Sequence, residues 1–411
     1  MSAIASDYPE EIIALRESLT AFLKKVVLPA HDKYAHILDD SRRRYTAEGR
    51  TSPEVWSIIR DIRQQSAELG FYTMCVPEAL GGAGMGYLAY FAAWERVFHI
   101  CSARYWLGHG VIAHWSRGPS PLLARLRPPF RDAVLPDLMS GKKSLCFALS
   151  EPGAGSDATM IKTQATVDGD GWRLTGSKIW ITNAPYADHA IVFAVTSPEL
   201  AQARRGGISA FIVSTDAPGF EVESLIKMWG ASGSDEGQLR FDAVRIEPEQ
   251  LLGELHRGFE LAMLGVGLGR IYNAARAVGT ARWALETGID YAGTRETFGA
   301  PIKSHQGVSF PLAESAMQVH AAHLVARNAA ELLDQGKRAQ KEVAMAKTLA
   351  VEAGRLAVDR VMQIHGAMGF ANDMHLTSAY ISLRKVMVAD GSSEILRRQI
   401  ANNLFAGDFD L

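Results

Sequence analysis

The sequence predicts an α+β fold that is mostly α. Three observations lead there. Apolar residues recur at helical spacing in the first third of the chain, short apolar runs joined by a glycine-rich hairpin signal fill the middle, and a long alanine-rich helical stretch lies near the end. The texture changes near Lys143 and again after Leu252. These changes divide the 411 residues into an N-terminal helical domain (1–142), a middle β-domain (143–253) and a C-terminal helical domain (254–411). Two or three domains suit such a length at roughly 100–200 residues each.

The first helix takes Ser6 or Asp7 as its cap and Pro9 near its first turn, with Ile12, Ile13, Leu15, Leu19, Phe22 and Leu23 at helical spacing. Further helices are broken by turns such as Gly81-Gly82-Ala83-Gly84. Residues 144–149 form a short apolar run suited to a strand. Residues 163–167 and 172–175 flank Asp168-Gly169-Asp170-Gly171, which signals a hairpin. Residues 189–196, 208–214 and 237–246 read as further strands. Residues 342–366 are rich in Ala, Val, Leu and Met and carry no proline. They predict one long helix whose apolar face is buried in a bundle or a subunit interface.

Composition removes several function classes. Lys plus Arg is 43 against 45 for Asp plus Glu, so no basic excess points to nucleic acid or an anionic membrane. Three cysteines (Cys75, Cys101, Cys146) with no C-x-x-C pair fit a reducing compartment. The chain start leads directly into a helix signal, and no stretch of about 18 apolar residues occurs, so the expectation is a cytoplasmic protein without a signal peptide or membrane span. His31 and His36, like His109 and His114, are five apart rather than four, so no metal is expected. Ser150 lacks a G-x-S-x-G setting, which disfavours hydrolase chemistry.

Gly153-Ala154-Gly155-Ser156-Asp157-Ala158 matches G-x-G-x-x-A after a strand, the pattern of a dinucleotide-binding loop. The match fails on context. Such a loop opens a helix, whereas here the chain runs straight into the hairpin at 168–171. Two readings remain for residues 150–157: a tight glycine turn between strands, or a cradle of small residues, hydroxyls and N–H groups that a flat ring or a phosphate can approach.

Five blocks in order along nearly the whole chain resemble the acyl-CoA dehydrogenase family. They are residues 147–157 (FALSEPGAGSD), Trp180-Ile181-Thr182-Asn183, residues 294–299 with His305-Gln306, residues 363–370 (QIHGAMGF) and residues 390–395 (DGSSEI). The resemblance implies a middle domain that is β-barrel-like and a C-terminal four-helix bundle. It further implies FAD as cofactor, held between the subunits of a homotetramer or homodimer. Phe147, Leu149, Ser150, Gly155 and Ser156 would line the flavin and the thioester, with Trp180 and Thr182 against the isoalloxazine. Arg295, Thr297, Phe298, Gln306, Gln363, Gly366 and Ala367 would hold the FAD of the neighbouring subunit. Ser392 and Glu394 would meet its adenosine half. Ser156, Arg270 and Gly391 would contact the substrate. Taken singly, Trp180 reads as a core residue and Arg295 as a solvated charge; only the joint pattern turns them into cofactor contacts.

The implied reaction removes a proton α to a thioester carbonyl and a hydride from the β carbon, with flavin as hydride acceptor. Charge grows on the thioester oxygen and needs fixed donors; in the family these are a ribityl hydroxyl and the N–H of the base residue, here Asp390. Most members carry Glu as base at this position. Others carry Glu directly before the residue matching Arg270, where this chain has Gly269. Asp390 is therefore the expected base, although Asp-Gly before Ser392 and Glu394 also reads as a turn and cap for the last helix. Gly267-Leu268-Gly269-Arg270-Ile271 resembles an Asp-bearing subgroup that includes long-chain and branched-chain enzymes. Ala389 and Gly267 are smaller than the residues many members carry, which leads to the expectation of a bulkier or branched acyl group.

Three functions stay open: an acyl-CoA dehydrogenase passing electrons to an electron-transfer flavoprotein, a flavin oxidase of the acyl-CoA or nitroalkane type, and a non-catalytic acyl-thioester binder. Nitroalkane oxidases are relatives that use Asp as base.

Overall fold

A computed structural model describes residues 7–229 and 232–410. The N-terminal helices are α1 (Glu10–Phe22), α2 (Leu28–Leu38), α3 (Ser41–Arg44), α4 (Pro53–Glu68), α5 (Tyr87–Cys101) and α6 (Pro128–Met139). Strands β1 (Leu145–Ala148), β2 (Gln164–Asp168), β3 (Gly171–Thr182) and β4 (His189–Val195) follow. The short helix α7 (Pro198–Gln202) then precedes β5 (Ile208–Ser214), β6 (Phe220–Leu225), β7 (Glu236–Ile246) and β8 (Leu251–Leu252). The rest is helical apart from one small hairpin: α8 (Gly258–Thr294), β9 (Glu296–Thr297), β10 (Ala300–Pro301), α9 (Gln306–Asp334), α10 (Gln340–His365), α11 (Leu376–Val386) and α12 (Ser393–Phe405).

The chain folds as two compact units that do not follow chain order. One combines Met1–Asp32, Met85–His109 and Gly267–Leu411; the other combines Lys33–Gly84 and Gly110–Val266. The first is all helix apart from the β9–β10 hairpin, and the second holds the sheet.

In the sheet unit the strands run in the order β6-β7-β3-β2-β4-β5-β8, with β1 added parallel to β4. The hairpin at Asp168–Gly171 forms as the glycine pattern requires, with Gly169 at φ +63°. Every residue of β4 is buried, because both faces of the strand are covered. Ile191, Phe193 and Val195 join Leu145, Ile208 and Ile212 in one core. The alternate residues Ala190, Val192 and Ala194 join Cys146, Ala148 and Val213 in a second. β6, which the sequence reading did not include, alternates Phe220 and Val222 with exposed Glu221 and Glu223, as suits a strand at the end of the ladder.

In the helical unit, α1 begins after Pro9 with no side-chain cap. Asp7 therefore does not cap it, and Ser6 lies outside the described residues. Ile12, Leu19, Phe22 and Leu23 are buried as the helical spacing requires, while Ile13 faces outward. The alanine-rich run forms α10 in one piece and ends at Gly366, φ +59°. Gly354 of α10 lets the helix approach the Ala277 carbonyl of α8, and Gly279 of α8 lies against the backbone of Glu95 and His99 on α5. Glu95 itself is fully buried beside Arg282 (2.5 Å) and His323 (3.2 Å). Burial pushes its carboxyl up, but His323, Arg282 and Arg16 outweigh that and hold it down at about 2. Among the described residues no helix is long and apolar enough to cross a membrane.

A β-branched side chain at Gly279 has no space, so Gly279→Val should lower stability by about 1–3 kcal/mol or more in denaturant unfolding. Among the described residues the Cβ of Gly293→Ala meets nothing within 4 Å, and the substitution should change stability by less than about 1 kcal/mol, in the stabilising direction.

Candidate active site

The turn before α12 is built from two left-handed residues, Asp390 at φ +52° and Gly391 at φ +94°. Glycine adopts this region freely; aspartate tolerates it better than most residues but still at a cost. Hydrogen bonds hold the turn there. Arg270 Nε on α8 donates to the Asp390 carbonyl at 3.1 Å, and Lys347 Nζ on α10 donates to the carbonyls of Ala389 and Gly391. Three consecutive carbonyls are thus held by two cations. Arg270 also donates to Gln399 Oε1 on α12 at 3.0 Å, which ties the turn to the helix that follows it. A Cβ at Gly391 would stand 3.3 Å from the Arg270 guanidinium, so the glycine also makes room for the anchor. Ser392 accepts from Ile395 N at 3.4 Å and is the true cap of α12, which leaves the Asp390 side chain out of capping.

The Asp390 carboxylate instead accepts from Asn273 Nδ2 at 2.7 Å through Oδ2. Burial pushes this carboxyl above the ordinary aspartate range, against the opposing pull of Lys347, Arg270 and Asn273. Burial likewise pushes Lys347 down to about 8, although the Asp390 charge favours its protonated form. An acid raised toward neutrality is a stronger base when ionised.

Within the sheet unit the Gly-Ala-Gly-Ser loop is also pinned by a buried ion. The Glu151 carboxylate accepts from the backbone of Lys162 (2.6 Å) and Thr163 (3.0 Å) and from Lys178 Nζ (2.8 Å). Lys178 reaches back to the Leu149 carbonyl at 3.0 Å. Burial pushes Glu151 up, but Lys178 and these N–H donors outweigh it and hold its carboxyl below the usual range. Only a single turn at Ala158–Met160 follows the loop, so it opens no helix, as the sequence context requires. Gly155 and Ser156 are exposed, and among the described residues a Cβ at Gly155 would meet nothing within 4 Å. Ser150 is half-buried and its carbonyl accepts from Ile179 N at 2.9 Å. Phe147 packs between Trp115 and Phe193, and Leu149 is buried in the same core.

Strand alternation alone would put Lys178 and Trp180 on one face. An irregularity in the β3–β7 register between Lys178 and Ile181 breaks the period. Lys178 and Ile181 are buried, and Trp180, at φ +62°, is turned outward with 55% of its surface exposed. A left-handed tryptophan is rare and costs roughly 1–3 kcal/mol, the kind of strain that marks functional positions. The neighbouring Thr182 hydroxyl donates to Glu236 Oε2 at 2.7 Å.

Further candidates lie on the surface of the helical unit. Arg295, Gln306, Gln363, Gly366, Ala367 and Glu394 are exposed, and Thr297 is half-buried in β9. Phe298, at φ +54° in the β9–β10 turn, is 94% exposed.

Sequence reasoning missed Asn273, Lys347, Gln399, Glu151 and Lys178. Lys347 did leave a signal: it stands on the apolar stripe of α10 with Ala344, Ala350, Val351 and Gly354, all buried.

Family models cover most of the chain. The acyl-CoA dehydrogenase N-terminal domain matches residues 9–142, the middle domain 146–244 and the C-terminal domain 256–405. The short-chain specific acyl-CoA dehydrogenase, mitochondrial, of Homo sapiens is 40% identical over 338 residues, which is 82% of this chain and 80% of that protein. An acyl-CoA dehydrogenase of Bacillus subtilis is 34% identical over 398 residues, 97% of this chain and 99% of its own. The crystal structure of acyl-CoA dehydrogenase from Geobacillus kaustophilus superposes with a TM-score of 0.83 at 26% identity, over 99% of this chain and 100% of the other.

Lys178→Met leaves the Glu151 charge buried without its cation and should cost about 3–5 kcal/mol in denaturant unfolding. Replacing both residues, as Lys178→Met with Glu151→Leu, should recover part of that loss. The stabilisation that Glu151 provides is present above the ordinary glutamate pKa and disappears as pH falls through its depressed value.

Proposed function

The chain belongs to the acyl-CoA dehydrogenase family, an oxidoreductase family, and from that membership we propose that it oxidises an acyl-CoA thioester to the 2-enoyl-CoA with FAD as cofactor. The observation that carries the reading is the Asp390 carboxylate, raised by burial on a turn whose backbone is fixed. Asp390 takes the α proton. Among the described residues the Asp390 N–H has no protein acceptor, while the carbonyls on either side are anchored to cations. That N–H is therefore the donor offered to the thioester oxygen as charge develops there. Arg270 holds the donor in place through the Asp390 carbonyl.

The residues present fit a flavin. Trp180 presents an outward-turned indole, and the open space over Gly155 lets a ring approach the backbone. Ser150, Ser156, Trp180 and Thr182 would hold the cofactor on this side, with the shape of Phe147 and Leu149 fixed by the core behind them. Arg295, Thr297, Phe298, Gln306, Gln363, Gly366, Ala367, Ser392 and Glu394 would hold the FAD of a second copy in a homotetramer or homodimer. The bare apolar surface of Phe298 supports such an interface. When bound, FAD supplies the acceptor for the β hydride. The three chain-order segments 1–142, 143–253 and 254–411 would be the domains, in a pathway of fatty acid metabolism.

The acyl group we propose is short and branched. Among the described residues nothing lies within 4 Å of a Cβ at Gly267, which supports a broad group; the name of the 40% identical human protein supports a short one. An electron-transfer flavoprotein is the proposed acceptor. Anaerobic mixing with straight and branched acyl-CoAs should bleach the flavin's blue absorption, fastest for short branched chains. Sole preference for long straight chains would refute the acyl assignment. Rapid hydrogen peroxide release in air would make the enzyme an oxidase.

Asp390→Asn should retain FAD yet lose reduction by substrate by about 100- to 10,000-fold. Reduction by wild-type enzyme should fall as pH drops through the Asp390 pKa, at a pH above that of an ordinary aspartate, because only the ionised form accepts a proton. An unchanged rate in Asp390→Asn would remove the base assignment.

A further inference from the structure

The turn before α12 has a fixed backbone, but an aspartate on it keeps two free side-chain torsions. A short carboxylate needs those torsions fixed, because a displacement of about 1 Å costs on the order of 100-fold in rate. Asn273 stands three residues after Arg270 on α8, so both lie on one helical face. Arg270 grips Asp390 by its carbonyl at 3.1 Å, and Asn273 grips it by Oδ2 at 2.7 Å. One turn of α8 therefore holds the same residue at backbone and side chain. Asn273 is only 2% exposed, and asparagine is a poor helix former, so neither helix propensity nor solvation accounts for it there. Among the described residues no group donates to Asp390 Oδ1.

We propose that Asn273 is a positioning residue for proton abstraction: its amide clamps Asp390 Oδ2 and leaves Oδ1 as the atom that receives the α proton. The proposal rests on the reading of Asp390 as base. The charged groups facing the carboxylate are Lys347 from α10 and Arg270 from α8, and both remain when Asn273 is changed. Because the Asn273 amide donates to the ionised carboxylate, its removal shifts the titration of Asp390 upward.

The test uses full-length, FAD-loaded enzyme. Asn273→Leu keeps the volume and removes the donor; Asn273→Ala is the second variant, should leucine be excluded from the site. Anaerobic flavin reduction by acyl-CoA is followed across pH, beside substrate affinity. The expected result is a rate lowered on the order of 10-fold or more. The acidic limb should move up by about one pH unit, and substrate Kd should change by less than about 3-fold. A residue that served packing alone would lower stability without moving the limb. An FAD-loaded variant with an unmoved limb and a rate within about 2-fold of wild type overturns the proposal, as does failure of both variants to bind FAD. Reduction at the wild-type rate by Asp390→Asn would instead overturn the base reading, and this inference with it.

Discussion

Two cations, the buried Lys347 and the half-buried Arg270, hold three consecutive carbonyls of one turn, and the geometry of the candidate base depends on that constraint. Lys347 binds the carbonyls of Ala389 and Gly391, and Arg270 binds that of Asp390 between them. Burying a charge costs several kcal/mol, so the arrangement survives only because each cation is hydrogen-bonded and because the Asp390 carboxylate stands nearby. In return, two successive residues remain in the left-handed region. The carbonyls turn toward α8 and α10, and among the described residues the Asp390 N–H has no protein partner. A loop that moved freely could not keep an acid, a backbone donor and a glycine in one fixed relation.

The sheet unit uses the same physics with the sign reversed. There a buried anion, Glu151, collects the N–H groups of Lys162 and Thr163 and the Lys178 ammonium. The loop at 150–157 is fixed in shape although Gly155 and Ser156 are exposed. Both candidate segments are thus loops held by charged side chains, Glu151 in one and Lys347 with Arg270 in the other. Gly155 and Ser156 stay exposed, while Glu151, Lys178 and Lys347 are buried. Strain at Trp180 belongs to the same economy: the buried face of β3 takes Lys178 and Ile181, which leaves tryptophan to point away.

Much of this was legible in the sequence. The glycine hairpin at 168–171, the strands at 189–195 and 208–214, and the long alanine-rich helix carry strong local signals, and each formed. The motif blocks named Asp390 and Trp180 as candidates, and the resemblance of residues 267–271 named Arg270. The supporting ions were not legible, because lysine and glutamate read as solvent-facing until their partners are known, and those partners are far away in sequence. Lys347 is the instructive case, since its helical stripe is otherwise made of buried small residues. β6 was missed although Phe220 and Val222 alternate with Glu221 and Glu223, because so short an alternation is a weak signal on its own. The cap at Asp7 failed because Pro9, with its fixed φ, starts α1 two residues later.

The central claim is that Asp390 exchanges a proton with the α carbon of a bound thioester. It is tested most directly with an acyl-CoA analogue that cannot lose a β hydride, incubated with FAD-loaded enzyme in deuterated water and followed by NMR at the α position. The account predicts steady deuterium uptake with wild-type protein and none above the solvent rate with Asp390→Asn. Equal uptake by the two proteins would contradict it and would place the base elsewhere in the molecule.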